Sequence, residues 1–475
     1  MKLGTSALGA TLAAILALAR PALLGAAPAA PAAPAPAAAW APRDLPLEEF
    51  PDAAELRARY WESYFSAPPA AAALRSPLRL DTAAGPFKLF LIEGKDSFYQ
   101  LLSPLGPAAK AGAGGRAAIA PDPPLYAQGT WILKRSRETG APLQAKVFLR
   151  SDPGCFIRIY PDGDRSRLDL VAYGGVLNRE VALPLPFAQV FGSPFSSIVA
   201  WTGDVVDWEL FSPRLGAYAG TRAFAAKLRE RMAGLRYAED GALDAEGRPV
   251  YIATGLPQAE PAGLNCSGFA KWVVDGFYRP LTGASLDPKA MAERHAELRG
   301  GSLAATYEAE LDPYFGLDWT RNLARALEDA TFPSRRHGLY ENDVSWAPFA
   351  LFAAEAASGA VNGSSAYEDY PAFDQDLGYE GRGLKALLYV LAIREPGTIY
   401  LASLSRKGGG ELPGLRRHYH VALLVPYFEA TGEFRAAVFE SAAETSVASL
   451  MARSSKDFAH LVRLRLLPDF DPPRF

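Results

Sequence analysis

A chain of 475 residues that is 49% hydrophobic has enough apolar material for large cores, and its length suggests about three domains. Its formal net charge of −3, with no basic run interleaved with aromatics, excludes a phosphate-backbone footprint, so no nucleic-acid partner is expected.

Residues 1–27 read as a secretory signal: Lys2, an apolar run from Leu8 to Ala19, then small residues around Gly25, Ala26 and Ala27. The run is too short to cross a bilayer and Arg20-Pro21 interrupts it, so the mature chain is expected to carry no integral span. No cysteine follows it, which argues against a lipid anchor. A periplasmic or extracellular protein is therefore expected. Residues 28–45 form an Ala/Pro-rich linker, a composition that cannot build a core.

Residues 46–218 are expected to form a β-rich domain. Leu56, Tyr60 and Tyr64 fall at helical spacing, and residues 108–116 are a flexible interruption. Short strand-like runs then recur at 131–133, 145–150, 156–160, 168–173 and 181–185, with Pro161-Asp162-Gly163-Asp164 as a turn. Strands at that spacing predict a small sandwich or barrel. Cys155 begins one of them and reads as a buried, unpaired thiol. A disulfide to Cys266, the only other cysteine, is the competing reading in an exported chain.

Residues 219–235 predict a helix leading into the remaining half. Asp240, Asp244 and Glu246 lack the alternating ligands and closing Glu of a calcium loop, and read as a polar hairpin leading to Tyr251. Next comes the most informative segment. In Asn265-Cys266-Ser267-Gly268-Phe269, the cysteine starts an amphipathic helix with Phe269, Trp272 and Val273 on its buried stripe, which Gly276 and Pro280 are expected to end. Unpaired N–H groups at a helix start favour thiolate, the nucleophilic form. Residues 281–380 read as a mostly helical insertion, a wall or lid, with a turn at Asn362-Gly363-Ser364-Ser365; Tyr340, Trp346 and Phe349 are candidate channel residues, with core packing favoured for each.

A nucleophilic thiol needs a base, and of five histidines only His420 begins a strongly strand-like run, His420-Val421-Ala422-Leu423-Leu424-Val425. The hairpin that follows, folded about Ala430, sets His420 opposite Glu440, a carboxylate able to orient the ring. A slip of one residue would turn Glu440 away. His418, two residues earlier on the same expected face, is a rival base or substrate contact. His295, His337 and His460 read as solvated or structural. No zinc motif is present, and Gly408-Gly409-Gly410 lacks the Lys-Ser/Thr of a phosphate loop, so neither metal nor cofactor is expected.

The blocks Asn265-Cys266-Ser267-Gly268-Phe269, His420 to Val425, and Val438-Phe439-Glu440-Ser441 resemble, in order, the three motif blocks of the NlpC-type cell-wall cysteine peptidases. Glu395-Pro396-Gly397-Thr398-Ile399-Tyr400 looks like the Pro-Gly-Asp strand start that precedes the family's histidine, and Tyr251 is similar to its tyrosine upstream of the nucleophile. The resemblance covers roughly residues 236–280 and 385–467. It implies an α+β, papain-like catalytic domain over 219–475, a nucleophile helix on an antiparallel sheet. It also implies hydrolysis of peptidoglycan stem peptides, often at γ-D-glutamyl to diamino acid bonds. Asn265 replaces the family's usual Asp, Glu440 its usual His, Asn or Gln, and the long interval between Cys266 and His420 requires the insertion.

The expected mechanism is attack by Cys266, proton transfer by His420 and orientation by Glu440, with Tyr251, Ser267, His418 and the Cys266 N–H as candidates for holding the substrate or its oxyanion. Acyl or peptidyl transfer on the same fold, or a non-catalytic envelope scaffold, are the alternatives.

Overall fold

A computed structural model describes residues 44–105, 125–295, 312–345, 373–374, 377–407, 416–454 and 457–475. The expected signal and nearly all of the linker, residues 108–116, Trp346, Phe349, the turn at Asn362 to Ser365 and Gly408 to Gly410 lie outside them.

Apolar residues at alternate positions build the first sheet. In Trp131–Ser136 the residues Trp131, Leu133 and Arg135 are buried while their neighbours are not, and Cys155, Ile157 and Ile159 repeat the pattern. Its strands are β1 (Leu78–Thr82), β2 (Gly85–Glu93), β3 (Ser97–Pro104), β4 (Trp131–Ser136), β5 (Pro142–Phe148), β6 (Cys155–Asp162), β7 (Arg165–Ala172) and β8 (Gly175–Leu183). Each pairs antiparallel with the next, in chain order. Among the described residues this is one open meander, where the spacing predicted a sandwich or barrel. Alternation tells each strand which face to bury but not which distant strand closes the sheet, so the three architectures share one local signature.

Four short helices accompany it: α1 (Ala54–Arg59), α2 (Pro69–Ala73), α3 (Phe187–Gly192) and α4 (Phe195–Thr202). Arg57 is wholly buried between α1 and α3, and that is tolerable only because its donors are matched. Its Nε donates to Phe191 O at 2.6 Å, Nη2 to Ser193 O at 2.8 Å, and Nη1 pairs with Asp52, while the guanidinium lies 3.6 Å from the Trp131 ring centre.

The second half contains α5 (Ala219–Met232), the hairpin β9 (Gly241–Leu243) and β10 (Pro249–Tyr251), then α6 (Cys266–Thr282), α7 (Pro288–Met291) and α8 (Phe315–Thr331). Its sheet comprises β11 (Phe373–Asp374), β12 (Gly378–Glu380), β13 (Thr398–Lys407), β14 (Arg416–Phe428), β15 (Phe434–Glu440), β16 (Ala443–Ser446) and β17 (Phe458–Arg465), with α9 (Leu384–Arg394) before β13 and α10 (Val447–Ser454) before β17. The order is β11-β12-β17-β13-β14-β15-β16, every pair antiparallel. The protein is thus mixed α+β, with three open sheets. Helices α6 and α8 pack on each other and on β14.

The described residues belong to one compact unit, and the core runs continuously from the meander into the second sheet. Tyr173, in the turn after β7, packs at a tilt against Tyr389 and Phe434, with ring centres 5.2 and 5.3 Å apart, and the buried Arg150 donates to Gly432 O. Both cysteines are free, which excludes the disulfide reading: Cys155 is fully buried, and burial pushes its thiol up to about 12.

Helix α6 departs from expectation by running through Gly276 and Pro280 to a left-handed cap at Gly283, with φ of 78°. Pro280 has no N–H for the Gly276 carbonyl, a loss that normally ends a helix. Here Asp471 N donates to that carbonyl at 2.7 Å. Gly276 also leaves room for Phe470, whose ring would lie 2.3 Å from an added Cβ. The tail continues along the helix, where Trp272 Nε1 donates to Pro473 O at 2.8 Å. The described part of the insertion contributes α8 to the core, but Tyr340, at 43% exposure, does not join it. Trp319 is fully buried, and Tyr340 lies under the Arg321 guanidinium at 4.7 Å.

Candidate active site

Asn265 caps α6 from an extended conformation, its side-chain oxygen accepting from Gly268 N at 2.7 Å. Its own N–H donates to Gly241 O at 3.0 Å, tying the helix start to the β9–β10 hairpin. Gly268 faces that same carbonyl so closely that an added Cβ would sit 1.9 Å from it. Gly268→Ala is therefore expected to destabilise the fold by at least about 3 kcal/mol, since two backbones must part, a loss read from the urea midpoint. Asn265→Ala leaves only an N–H unpaired and should cost about 1 kcal/mol in the same assay.

Cys266, the first residue of α6, is half-buried; its Sγ lies 4.0 Å from Ser267 Oγ, and His420 of β14 is near enough to lower the thiol pKa. His420 Nε2 meets Glu440 Oε2 at 2.7 Å. Glu440 is anchored in turn: its other oxygen accepts from Thr445 Oγ1 at 3.0 Å and from Arg453 Nη2.

The electrostatics follow from these contacts. Burial of the Cys266 sulfur opposes ionisation, but the bond and charge of His420, with the Val421 N–H and Ser267, outweigh it and hold the thiol below its ordinary pKa. Burial would discharge His420; its bonds to Cys266 and Glu440 raise it to about 9. Burial would also protonate Glu440, yet His420 first, then Arg453 and Thr445, hold it down to about 2. At neutral pH His420 is held as imidazolium beside the ionised Glu440, and its charge favours ionisation of the Cys266 thiol.

The β14–β15 register differs from expectation by two residues. Leu423 pairs with Phe439 and Leu424 with Val438, so extending the ladder brings Glu440 level with Ala422 rather than His420. A shift of two preserves the face, and the carboxylate still reaches the ring diagonally. Glu440 is followed by a tight turn in which Ser441 and Ala442 have φ of 49° and 66°, left-handed values that are costly for residues bearing a Cβ.

His418 does not share the site. The β13–β14 register shifts between Leu404 and Ser405, leaving Tyr419 unpaired and breaking the alternation that would have aimed both histidines alike. The His418 ring bonds Ser403 Oγ through Nδ1 at 3.0 Å and is buried; burial, then His460, Arg321 and Arg416, lower it to about 3. Ser267 is also buried, at 3% exposure, and its carbonyl accepts from Trp319 Nε1 at 3.0 Å, so the insertion helix pins the first turn of α6. Tyr251 is half-buried and pairs with Gly241, one step removed from the helix start. Asp244 is used inside its own turn, accepting from the N–H groups of Glu246 and Arg248. His295 bonds Asn322 Oδ1 at 2.8 Å, His337 bonds Asp329 at 3.0 Å, and His460 lies 3.2 Å from Asp343.

Sequence reasoning missed Arg453, Thr445, Arg406, Tyr419 and Tyr237, which surround a cavity beside His420. Thr445, a few residues beyond Glu440 across a short turn, carried a local signal. Arg453 becomes a neighbour only because β16 and α10 fold back.

Comparison with known proteins adds one match: residues 46–210 fit a family described as a domain of unknown function (DUF8515). That segment ends before α5 and contains none of Cys266, His420 and Glu440. No curated protein and no solved structure compared matches the chain. Among the described residues no helix is long and apolar enough to cross a membrane, and no cluster of three or more His, Cys, Asp or Glu suited to a metal ion occurs.

Proposed function

We propose that the protein is a cysteine hydrolase of peptide or isopeptide bonds, with the stem peptides of peptidoglycan as substrate and the periplasm or cell exterior as its place of action. The observation that carries this reading is His420, held through Nε2 by an ionised Glu440 while it interacts with the one thiol at a capped helix start. The stem-peptide assignment rests on the motif resemblance around Cys266, His420 and Glu440.

In the proposed reaction the Cys266 thiolate attacks the amide carbonyl, forming a C–S bond and a tetrahedral oxyanion beside the Cys266 N–H. The His420 imidazolium gives its proton to the leaving nitrogen as the C–N bond breaks. Neutral His420 then takes a proton from water, the water attacks the thioester, and the carboxylic acid departs as the thiolate and imidazolium are restored.

The test is digestion of purified peptidoglycan by wild type and Cys266→Ala, with mass analysis of the fragments and a parallel reaction containing a free amine. New fragments in the wild type alone support hydrolysis, whereas amine-capped products indicate transfer. Identical digests from both proteins would remove the cysteine mechanism.

A further inference from the structure

Beside His420 lies an open cavity of about 440 Å³ whose walls include Arg406 of β13 and Arg453 of α10. Each arginine is fixed by one acid. Arg406 reaches Asp457 at 2.8 Å and donates from Nη2 to Tyr419 Oη at 2.9 Å, and Arg453 donates from Nη2 to Glu440 Oε1. A guanidinium carries five N–H donors. The Nη1 group of each arginine thus has no protein partner among the described residues, and both side chains are about half exposed, at 51% and 55%. With His420 protonated, three cationic groups line the cavity against Glu440 as the only lining carboxylate among the described residues, so its balance is positive.

The place of this cavity in the reaction follows from the proton transfer. His420 lines it and Cys266 does not. The leaving nitrogen must meet the His420 ring, so the half of the substrate that departs as the amine continues past that ring, into the cavity. We infer that the cavity receives a carboxylate carried by the amine-side half of the substrate, bound by Arg406 and Arg453. The substrate class is then an amide whose leaving amine belongs to an amino acid or peptide bearing a free carboxylate close to the scissile bond. A planar carboxylate suits such a pair because each guanidinium can present two parallel N–H groups to it. Tyr419 and Leu450 supply apolar wall for the carbon skeleton between. This inference rests on the proposed cysteine mechanism, and its test is built so that the two fail differently.

The probes are N-iodoacetylglycine and N-iodoacetylglycinamide, which place a carboxylate or a neutral amide at the same distance from one electrophilic carbon. In both, the Cys266 sulfur forms a bond to that carbon and iodide leaves. Alkylation of Cys266 is followed by peptide mass at neutral pH and low ionic strength. The acid is expected to react roughly tenfold faster than the amide, a preference the size of one charge-assisted bond. Arg406→Gln and Arg453→Gln should each bring the ratio towards one, and Arg453→Lys should keep part of it. Because the ratio compares two probes on the same thiol, it is insensitive to any change in thiol reactivity when Arg453 leaves Glu440. Equal rates for acid and amide in the wild type, or an unchanged ratio in both glutamine variants, would overturn the inference and leave the thiol mechanism standing. An amide probe that reacts no faster than with free cysteine would instead overturn the mechanism.

Discussion

If the proposed mechanism holds, Cys266→Ala is expected to lower peptide-bond hydrolysis by on the order of 10⁴-fold or more, because a site whose nucleophile, base and orienting acid act together loses nearly all of its catalysis when one member is removed. Cys266→Ser is expected to be almost as inactive. A serine keeps the helix start and the contact with His420, but its hydroxyl is far less acidic than a thiol, and the pKa lowering that His420 exerts on the sulfur does not bridge that gap. Stability should move little in either variant, within about 1 kcal/mol, since residue 266 is half-buried and leaves no sealed cavity. Measured together, unfolding midpoint and fragment yield separate loss of chemistry from loss of fold. A Cys266→Ala protein that still releases wild-type fragments would end the assignment.

The parts of the site legible in the sequence were those that short-range rules control. Asn265 before Cys266, with Phe269, Trp272 and Val273 on one stripe, specifies a capped helix whose first residue is the thiol, and the cap bond to Gly268 follows from that pattern. His420 and Glu440 were brought together by hairpin symmetry, which was two residues off yet chose the correct face because side chains repeat every second residue. His418 shows the limit of the same rule. A single unpaired residue, Tyr419, sends two histidines of identical spacing to different surroundings, and nothing in the local composition announces a bulge.

What stayed hidden depends on partners far away in the chain. Pro280 reads as a helix end until Asp471 supplies the N–H that proline lacks, and Ser267 reads as a substrate contact until Trp319 of the insertion covers it. The open order of β1 to β8 stayed hidden for the same reason, since pairing between distant strands is not written in their alternation. Arg406 and Arg453 are half-exposed arginines of ordinary appearance, and only folding sets them on one cavity with His420. In the proposed mechanism these residues are where thiol chemistry acquires a preference among amides.

Glu440→Gln should cost roughly 10²–10⁴-fold in turnover, the range associated with losing the charge behind a catalytic imidazole while its shape is kept. The glutamine oxygen can still accept from His420 Nε2, so the ring is not released. The charge that holds His420 at about 9 is gone, however, and the imidazolium becomes easier to deprotonate. The sign is fixed at both ends of the pH profile. The alkaline limb of hydrolysis, where His420 loses the proton it must give to the leaving amine, moves down from about 9 towards an ordinary histidine. The acid limb of Cys266 alkylation moves up, because a less persistent imidazolium lowers the thiol pKa less. The working window narrows from both sides. Arg453 loses its ion partner in the same variant, so Arg453→Gln serves as the control: it removes one bond to Glu440 while leaving the carboxylate ionised on His420 and Thr445, and it should shift both limbs less. Iodoacetamide labelling and hydrolysis measured across pH report the two limbs separately. Limbs that stay fixed in Glu440→Gln would mean that the carboxylate packs beside His420 without governing its charge.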